Sequence, residues 1–334
     1  MNTGQVDAKA VAEIVAAAVA APSMHNAQPW RFRFVTSDGS LLLFADLDRA
    51  MPKSDPDNRA LHIGCGAALF NLRVAAAHAG FSPAVRLLPE PAEPLLLARA
   101  DLGAAHVAAP HEEDLARLSP AIAQRHTSRY PFEEKDIPED VRAALRAAAV
   151  REGAELQFPG PWHLETVLEL VRDAESRDTL DPEGAAELRR WTRLGPEADI
   201  ATDGVPEYAF GPRMRDGRVP LRDFAGRRPV ADRGATVFEK HPHLALLSTP
   251  GDAADDWLRA GQAMERVLLE ATMAGLATSL TSHALESRDL RLLARDPVVG
   301  TGHVQMVLRL GYGPQGPSTP RRPVREVLDI AQQP

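Results

Sequence analysis

The chain has 334 residues, 44% of them apolar and 25% charged, the proportions of an ordinary globular protein, which exclude wholesale disorder. Its formal net charge of -8, with an isoelectric point near 5.8, argues against nucleic acid or an anionic membrane as a general partner, because phosphates would be repelled. At roughly 150 residues per domain the length allows two domains or one large α/β unit. The single cysteine, Cys65, excludes an intramolecular disulfide and favours a reducing compartment.

From the N-terminus, Val11, Ile14, Val15, Ala18 and Val19 recur at helical spacing. The apolar stretch from Ala8 to Ala21 is short and carries Lys9 and Glu13, so it reads as a core-facing helix stopped by Pro22. No secretory signal opens the chain and no other stretch approaches the length of a membrane span, so a cytoplasmic protein is expected. Arg31 to Val35 and Leu41 to Phe44, separated by Ser37, Asp38 and Gly39, read as a hairpin. A polar loop from Pro52 to Asn58 leads to a helix from about Leu61 to Ala79, ended by Gly80. Short strands at Val85 to Leu88 and Leu95 to Ala98 precede an Ala- and Pro-rich connector over residues 103–120.

The second half predicts a helix from Ile137 to about Val150, a strand at Glu155 to Phe158, and helices over His163 to Ser176 and Pro182 to Thr192. Residues 193–232 hold many Gly, Pro, Arg and Asp with little periodicity. A segment this long inside a compact chain reads as functional or as a lid, with Tyr208, Phe210, Arg213 and Arg215 its conspicuous side chains. Then come a strand at Leu244 to Ser248, a helix from Asp252 to Ala274, a strand at Val304 to Leu310 and a Pro-rich arm.

One internal similarity bears on architecture. Gly66 to Phe81 overlays Gly261 to Leu276 without a gap, with glycine first, Ala-Gly near the end and apolar residues at matching helical positions. A fainter match relates the helix before Pro22 to the one after Pro138. The order helix, strand, long helix, strand occurs twice, so a duplicated unit is expected, with halves 1–120 and 121–334.

Two segments carry the chemistry. Ala21-Pro-Ser-Met-His-Asn-Ala-Gln-Pro-Trp30 places a hydroxyl (Ser23), two amides (Asn26, Gln28) and an imidazole (His25) on a loop between a helix and a strand. That mixture suits a flat heteroaromatic ring rimmed with donors and acceptors. Arg125-His-Thr-Ser-Arg-Tyr-Pro-Phe132 concentrates guanidinium groups, whose planar forks fit phosphate oxygens.

The first segment resembles the Pro-Ser-x-x-Asn-x-Gln-Pro-Trp signature of the flavin-dependent nitroreductase superfamily. The second is similar to that superfamily's Arg-rich opening, which holds the FMN phosphate. Ala274-Gly-Leu-Ala-Thr-Ser-Leu-Thr-Ser-His283 resembles the stretch beside the isoalloxazine, and Leu310-Gly-Tyr with Thr319-Pro-Arg-Arg-Pro323 resembles the closing strand and basic tail. Leu61-x-Ile-x-Cys-Gly-Ala-Ala-Leu69 and Thr319 to Val324 look like the Acg-like branch in particular, in which one chain imitates the usual dimer.

The resemblance implies an α+β fold of two mixed, mainly antiparallel sheets wrapped by helices, with one FMN between the halves. It implies cofactor contacts at Pro22, Ser23, Met24, His25, Asn26, Gln28, Arg125, His126, Thr127, Arg129, Leu280, Thr281, Ser282 and His283, and at one of Arg321 and Arg322 or both. NAD(P)H is the implied electron donor, and a small molecule such as a nitroaromatic or quinone the acceptor. No nucleic-acid or membrane partner is expected, and the tandem arrangement makes a monomer possible. Because a flavin supplies its own chemistry, no catalytic side chain is required, with His25 and His283 as candidate proton sources. A second implied reading is a flavin-storing protein whose segment 193–232 shuts out nicotinamide.

Other motifs fail on context. Gly64 to Leu69 lacks a preceding strand, and Gly311 to Gly316 is followed by Pro-Ser-Thr-Pro where a dinucleotide fold needs a helix. No metal-ligand spacing occurs: His241 and His243 flank a proline in a loop. Cys65 reads as a small buried helix residue.

Overall fold

A computed structural model describes residues 6–102, 114–226, 228–296, 298, 300 and 302–332. Helix α1 (Ala8–Ala18) buries Val11, Ile14, Val15 and Ala18, and Asp7 caps it by accepting the Ala10 amide at 2.7 Å. Strands β1 (Trp30–Val35) and β2 (Ser40–Ala45) form the expected hairpin, paired from Trp30 with Ala45 to Val35 with Ser40. After α2 (Arg59–His78), β3 (Ala84–Leu87) and β4 (Leu96–Asp101) extend the same sheet. The connector expected over 103–120 lies partly outside the described residues; its end forms α3 (Ser119–Gln124).

Helix α4 (Glu139–Arg151) and β5 (Glu155–Gln157) follow, then α5 (Pro161–Leu180) and α6 (Pro182–Arg190). The described residues of 192–237 form short pieces, among them β6 (Thr192–Arg193), α7 (Glu197–Ile200), β7 (Val205–Pro206), β8 (Arg213–Asp216) and β9 (Ala235–Val237). A four-stranded antiparallel sheet has the order β11-β12-β10-β5, from β10 (His243–Thr249), β11 (Ala277–Thr281) and β12 (His303–Gly311). Helix α8 (Ala254–Met273) lies between β10 and β11, and α9 (His283–Glu286) and α10 (Arg288–Leu293) follow β11.

The chain ends with α11 (Val324–Val327) and β13 (Leu328–Ala331). The arm crosses back to the first sheet, where β13 pairs parallel to β1 from Phe32 with Leu328 to Val35 with Ala331. That sheet therefore runs β13-β1-β2-β4-β3, antiparallel except at the β13 edge. Neither β11 nor β13 was legible as a strand. Ala277-Thr-Ser-Leu-Thr281 lacks an alternating apolar face, and the half-buried β13 draws its place from a partner some 300 positions away in sequence.

The two long helices that overlay in sequence cross each other at the centre of the molecule. A β-carbon on Gly66 would overlap the Leu258 carbonyl oxygen, and one on Gly261 would overlap the Ile63 carbonyl oxygen. The gap-free overlay superimposes 66 on 261, and the same offset carried back one turn places 63 on 258, so the crossing reads alike from either helix. Around it α1 packs on α2 and α4 on α8. One contiguous core includes Trp30, Phe32, Leu69, Leu258, Met264 and Leu308, so the two halves share their interior.

By length and composition α2 is apolar enough to cross a bilayer, contrary to the reading that no stretch approached that length. Of its most apolar window, 78% is buried inside the protein, as expected of a core helix. Cys65, on this helix, is fully buried and donates to the Pro29 carbonyl at 3.2 Å; burial, with Asp46 nearby, pushes its thiol far above the usual range.

Candidate functional site

The turn after α1 holds three non-glycine residues in the left-handed region, His25 (φ 49°), Asn26 (φ 57°) and Gln28 (φ 54°). Such conformations cost on the order of 1–3 kcal/mol each and persist only where surrounding contacts impose them. Here Ser23 Oγ accepts the Gln28 N–H at 2.9 Å, and Asn26 Nδ2 donates at 2.9 Å to the carbonyls of both Gly204 and Pro320. Gln28 Nε2 donates to Thr202 O at 2.9 Å, and Gln28 Oε1 accepts the Arg322 N–H at 2.8 Å. The loop is thus pinned by residues 202–204 and by the C-terminal arm.

Opposite it, the segment after α3 lies along β11, where the Ser128 N–H donates to the Thr278 carbonyl at 2.8 Å. Arg125 and Arg321 converge: each donates at 3.1 Å to the Ala20 carbonyl, just beyond the C-terminal end of α1. Arg321 also donates to Asn26 Oδ1 at 3.0 Å, and burial together with the Arg125 charge pulls its pKa down to about 9. His126, half-buried beside both guanidinium groups, is held below its ordinary value by burial and by their charge. Arg129 sits elsewhere, with its guanidinium 4.8 Å from the Phe224 ring centre and a bond to Ala209 O at 3.0 Å; burial lowers it to about 10.

A third wall comes from the segment between β8 and β9 that lacked periodicity. Phe224 packs edge-on against His25 and stacks on Phe210. Arg222 donates to Glu286 Oε1 at 2.6 Å, Ser282 Oγ donates to the same oxygen at 2.7 Å, and Thr281 Oγ1 donates to Pro220 O at 2.6 Å. These bonds latch residues 220–224 over the end of β11.

The three walls enclose a cavity of about 1060 Å³, counting solvent at its mouth. Ala60, Ile63 and Gly64 of α2, Met264 of α8, Leu280 and Met306 make its apolar surface. Arg125, Arg129, Arg222 and Arg321 supply four cationic groups, and among the described residues no carboxylate lines it. In a chain of net charge -8 this is a pronounced local reversal. The Nε atoms of Arg125 and Arg321 and both ring nitrogens of His25 are buried without a hydrogen-bond partner.

Burial, with Arg222 and Arg129 for His25 and with Arg222 and His25 for His283, holds both imidazoles well below their ordinary value near 6.5. Below that pH the unfolded chain binds protons the fold refuses, so their stabilisation is complete above about pH 6.5 and is lost as pH falls. We expect the melting temperature to drop between about pH 7 and 5, with His62 and His126 acting in the same direction. In His25→Asn, which tolerates the left-handed backbone, thermal melts across that range should show a shallower drop.

A sequence model described as the nitroreductase family matches residues 122–312. Two Mycobacterium tuberculosis proteins, whose names provisionally assign them as NAD(P)H nitroreductases, align over nearly the whole chain. One is 34% identical over 98% of this chain and 94% of its own length. The other, acg, is 32% identical over 99% and 98%. The chain belongs to the nitroreductase family. Among solved structures, a nitroreductase with bound FMN from Bacteroides fragilis aligns at 15% identity and a TM-score of 0.37 over 61% of this chain and 92% of that one. A nitroreductase-assigned chain from Anabaena variabilis aligns at 12% and 0.41 over 83% and 70%.

In this nitroreductase-family chain the cavity is lined by Pro22, Ser23, Met24, His25, Asn26, Arg125, His126, Thr127, Arg129, Leu280, Thr281, Ser282, His283 and Arg321. Gln28 and Arg322 are both buried, and neither lines the cavity. Arg322 lies 3.3 Å from Asp46 and donates to the carbonyls of Gln28 and Trp30, fastening the arm to β1. Of the prominent side chains of the unpatterned segment, Phe210 stacks on Phe224 behind the cavity wall. Arg213 and Arg215 are exposed on β8 and Tyr208 is half-exposed, whereas Leu221, Arg222 and Phe224 face the cavity. Ile63 and Met264 were missed because their helical spacing marks only burial, and a cavity wall and a core look the same in sequence.

Proposed function

We propose that this chain is an FMN-dependent NAD(P)H oxidoreductase that passes two electrons to a small acceptor such as a nitroaromatic or a quinone. The observation that carries the reading is the cavity with an apolar bed, four arginines and, among the described residues, no carboxylate. Family membership and the provisional names of the mycobacterial relatives support it. The residues present fit the cofactor: the two converging guanidinium groups of Arg125 and Arg321, with the buried Arg321 Nε lacking a hydrogen-bond partner, suit a phosphate, and Ile63, Met264, Leu280 and Met306 suit one face of a flat ring.

Arg125 and Arg321, with His126 beside them, would hold the phosphate. Arg129, next to Phe224 and His25, belongs to the other end of the cavity, where the ring would lie. Bound FMN supplies hydride chemistry at its N5. The chain's part is to orient the ring with backbone around Met24 and residues 281–283, to offer neutral His25 and His283 as hydrogen-bonding groups rather than proton sources, and to limit water access with Phe224. We also propose that residues 1–120 and 121–334 act as the two subunits of an ordinary dimer joined in one chain, with one FMN between them. The reciprocal Gly66–Gly261 crossing and a cavity drawing on both halves support this.

A second reading, flavin storage, is favoured by the latch of Arg222, Glu286, Ser282 and Thr281 that draws residues 220–224 over the cavity. Anaerobic mixing of the flavin-loaded protein with NADH or NADPH decides. Rapid bleaching, reversed by a nitroaromatic or quinone, supports the reductase. A flavin reduced only by dithionite supports storage, and a protein that stays colourless after reconstitution with FMN refutes both.

A further inference from the structure

Behind the arginine pair lies a carboxylate that the proposed chemistry does not use. Glu265, in the middle of α8, is fully buried, and its Oε1 is 3.4 Å from Arg125 Nε. Neither carboxylate oxygen has a hydrogen bond of ordinary geometry, and the buried Asn71 amide on α2 faces it with no such partner of its own. The charged groups facing Glu265 are Arg125 and Arg321. On its own helix, Arg266 is turned to Glu152, and Gln262 accepts from Arg73. Burial raises the Glu265 carboxyl, and Arg125, the Asn71 amide and Arg321 pull it back. With Asn71 fixed on α2, its charge varies with how much cationic field the two arginines have to spare.

We propose that Glu265 is a proton-linked counter-ion of the phosphate end, ionised against Arg125 when no anion occupies the cavity and protonated from solvent when a phosphate group arrives. The inference rests on the FMN reading. Two guanidinium groups and one carboxylate leave a single positive charge, too little for a phosphate dianion in a buried site. A proton on Glu265 restores both positive charges to the ligand. The sign follows: binding takes up a proton, so affinity for FMN falls as pH rises.

Calorimetric titration of flavin-free full-length chain with FMN, in two buffers of different ionisation enthalpy, counts the protons directly. We expect uptake of about one proton per FMN near pH 7.5, no uptake with riboflavin, which lacks the phosphate, and a dissociation constant rising by up to about tenfold per pH unit. Glu265→Gln should abolish the uptake and flatten the pH dependence. FMN binding without uptake, or with uptake unchanged in Glu265→Gln, overturns the inference and leaves the FMN reading intact. Failure of FMN to bind at any pH overturns both. Should Glu265→Gln not fold, the infrared difference spectrum of the wild-type chain decides: a protonated-carboxyl band on adding FMN, but not riboflavin, is required.

Discussion

Arg125→Ala should lose both FMN and fold stability, for two separable reasons. A hydrogen bond between charged groups contributes on the order of 1.5–3 kcal/mol, so the dissociation constant for FMN should rise about 10- to 100-fold. In addition, Arg125 is 3% exposed and Glu265 fully buried, so the truncation strands a carboxylate in the core. Removing one partner of a buried ion pair costs about 3–5 kcal/mol, visible as a lower urea midpoint of the flavin-free chain. Adding Glu265→Gln removes the stranded charge and should recover most of the stability without recovering FMN affinity. If the double variant melts as early as the single one, the ion pair is not what holds this region.

The second large effect is at the helix crossing. Gly261→Ala puts a methyl group where the Ile63 carbonyl oxygen and Gly66 already sit, and both obstacles are backbone. The helices can respond only by separating along a contact with core on either side. Overpacking costs typically 1–3 kcal/mol and occasionally more, and a backbone obstacle belongs at the upper end, so we expect a loss of about 3 kcal/mol or more. Gly66→Ala should behave alike, because its obstacle is the Leu258 carbonyl in the reciprocal position. Gly160, whose added β-carbon meets nothing within 4 Å, is the control, and Gly160→Ala should stay within about 0.5 kcal/mol of wild type. Denaturant unfolding of the three variants tests the ordering. A neutral Gly261→Ala would mean that the helices do not cross as closely as described. Since Ile63 and Met264 flank the crossing and line the cavity, flavin retention should fall with stability.

Much of this molecule was legible in its residues. Helical spacing located α1, α2, α4 and α8 to within a few residues, because an amphipathic helix writes its buried face into the sequence at a fixed period. The hairpin of β1 and β2 was announced by its turn, and the gap-free overlay marked α2 and α8 as alike, though not that they cross at their glycines. The loop at residues 22–28 and the arginines at 125 and 129 stood out by composition, before any geometry was known.

Other features have no local signal. Gln28 and Arg322 sit within motifs that lie at the cavity, yet the left-handed turn and the Asp46 carboxylate point them at each other. Strand β13 exists because β1 offers it an unpaired edge, and Phe224 reaches the cavity because Arg222 and Pro220 are tied to residues 281–286. Residue types and their period determine which segments are helices, which loop can meet a heteroaromatic ring and which arginines can meet a phosphate. Which of those side chains share a cavity depends on contacts between segments hundreds of residues apart, so only the folded chain could place Arg321 beside Arg125 and turn Arg322 away.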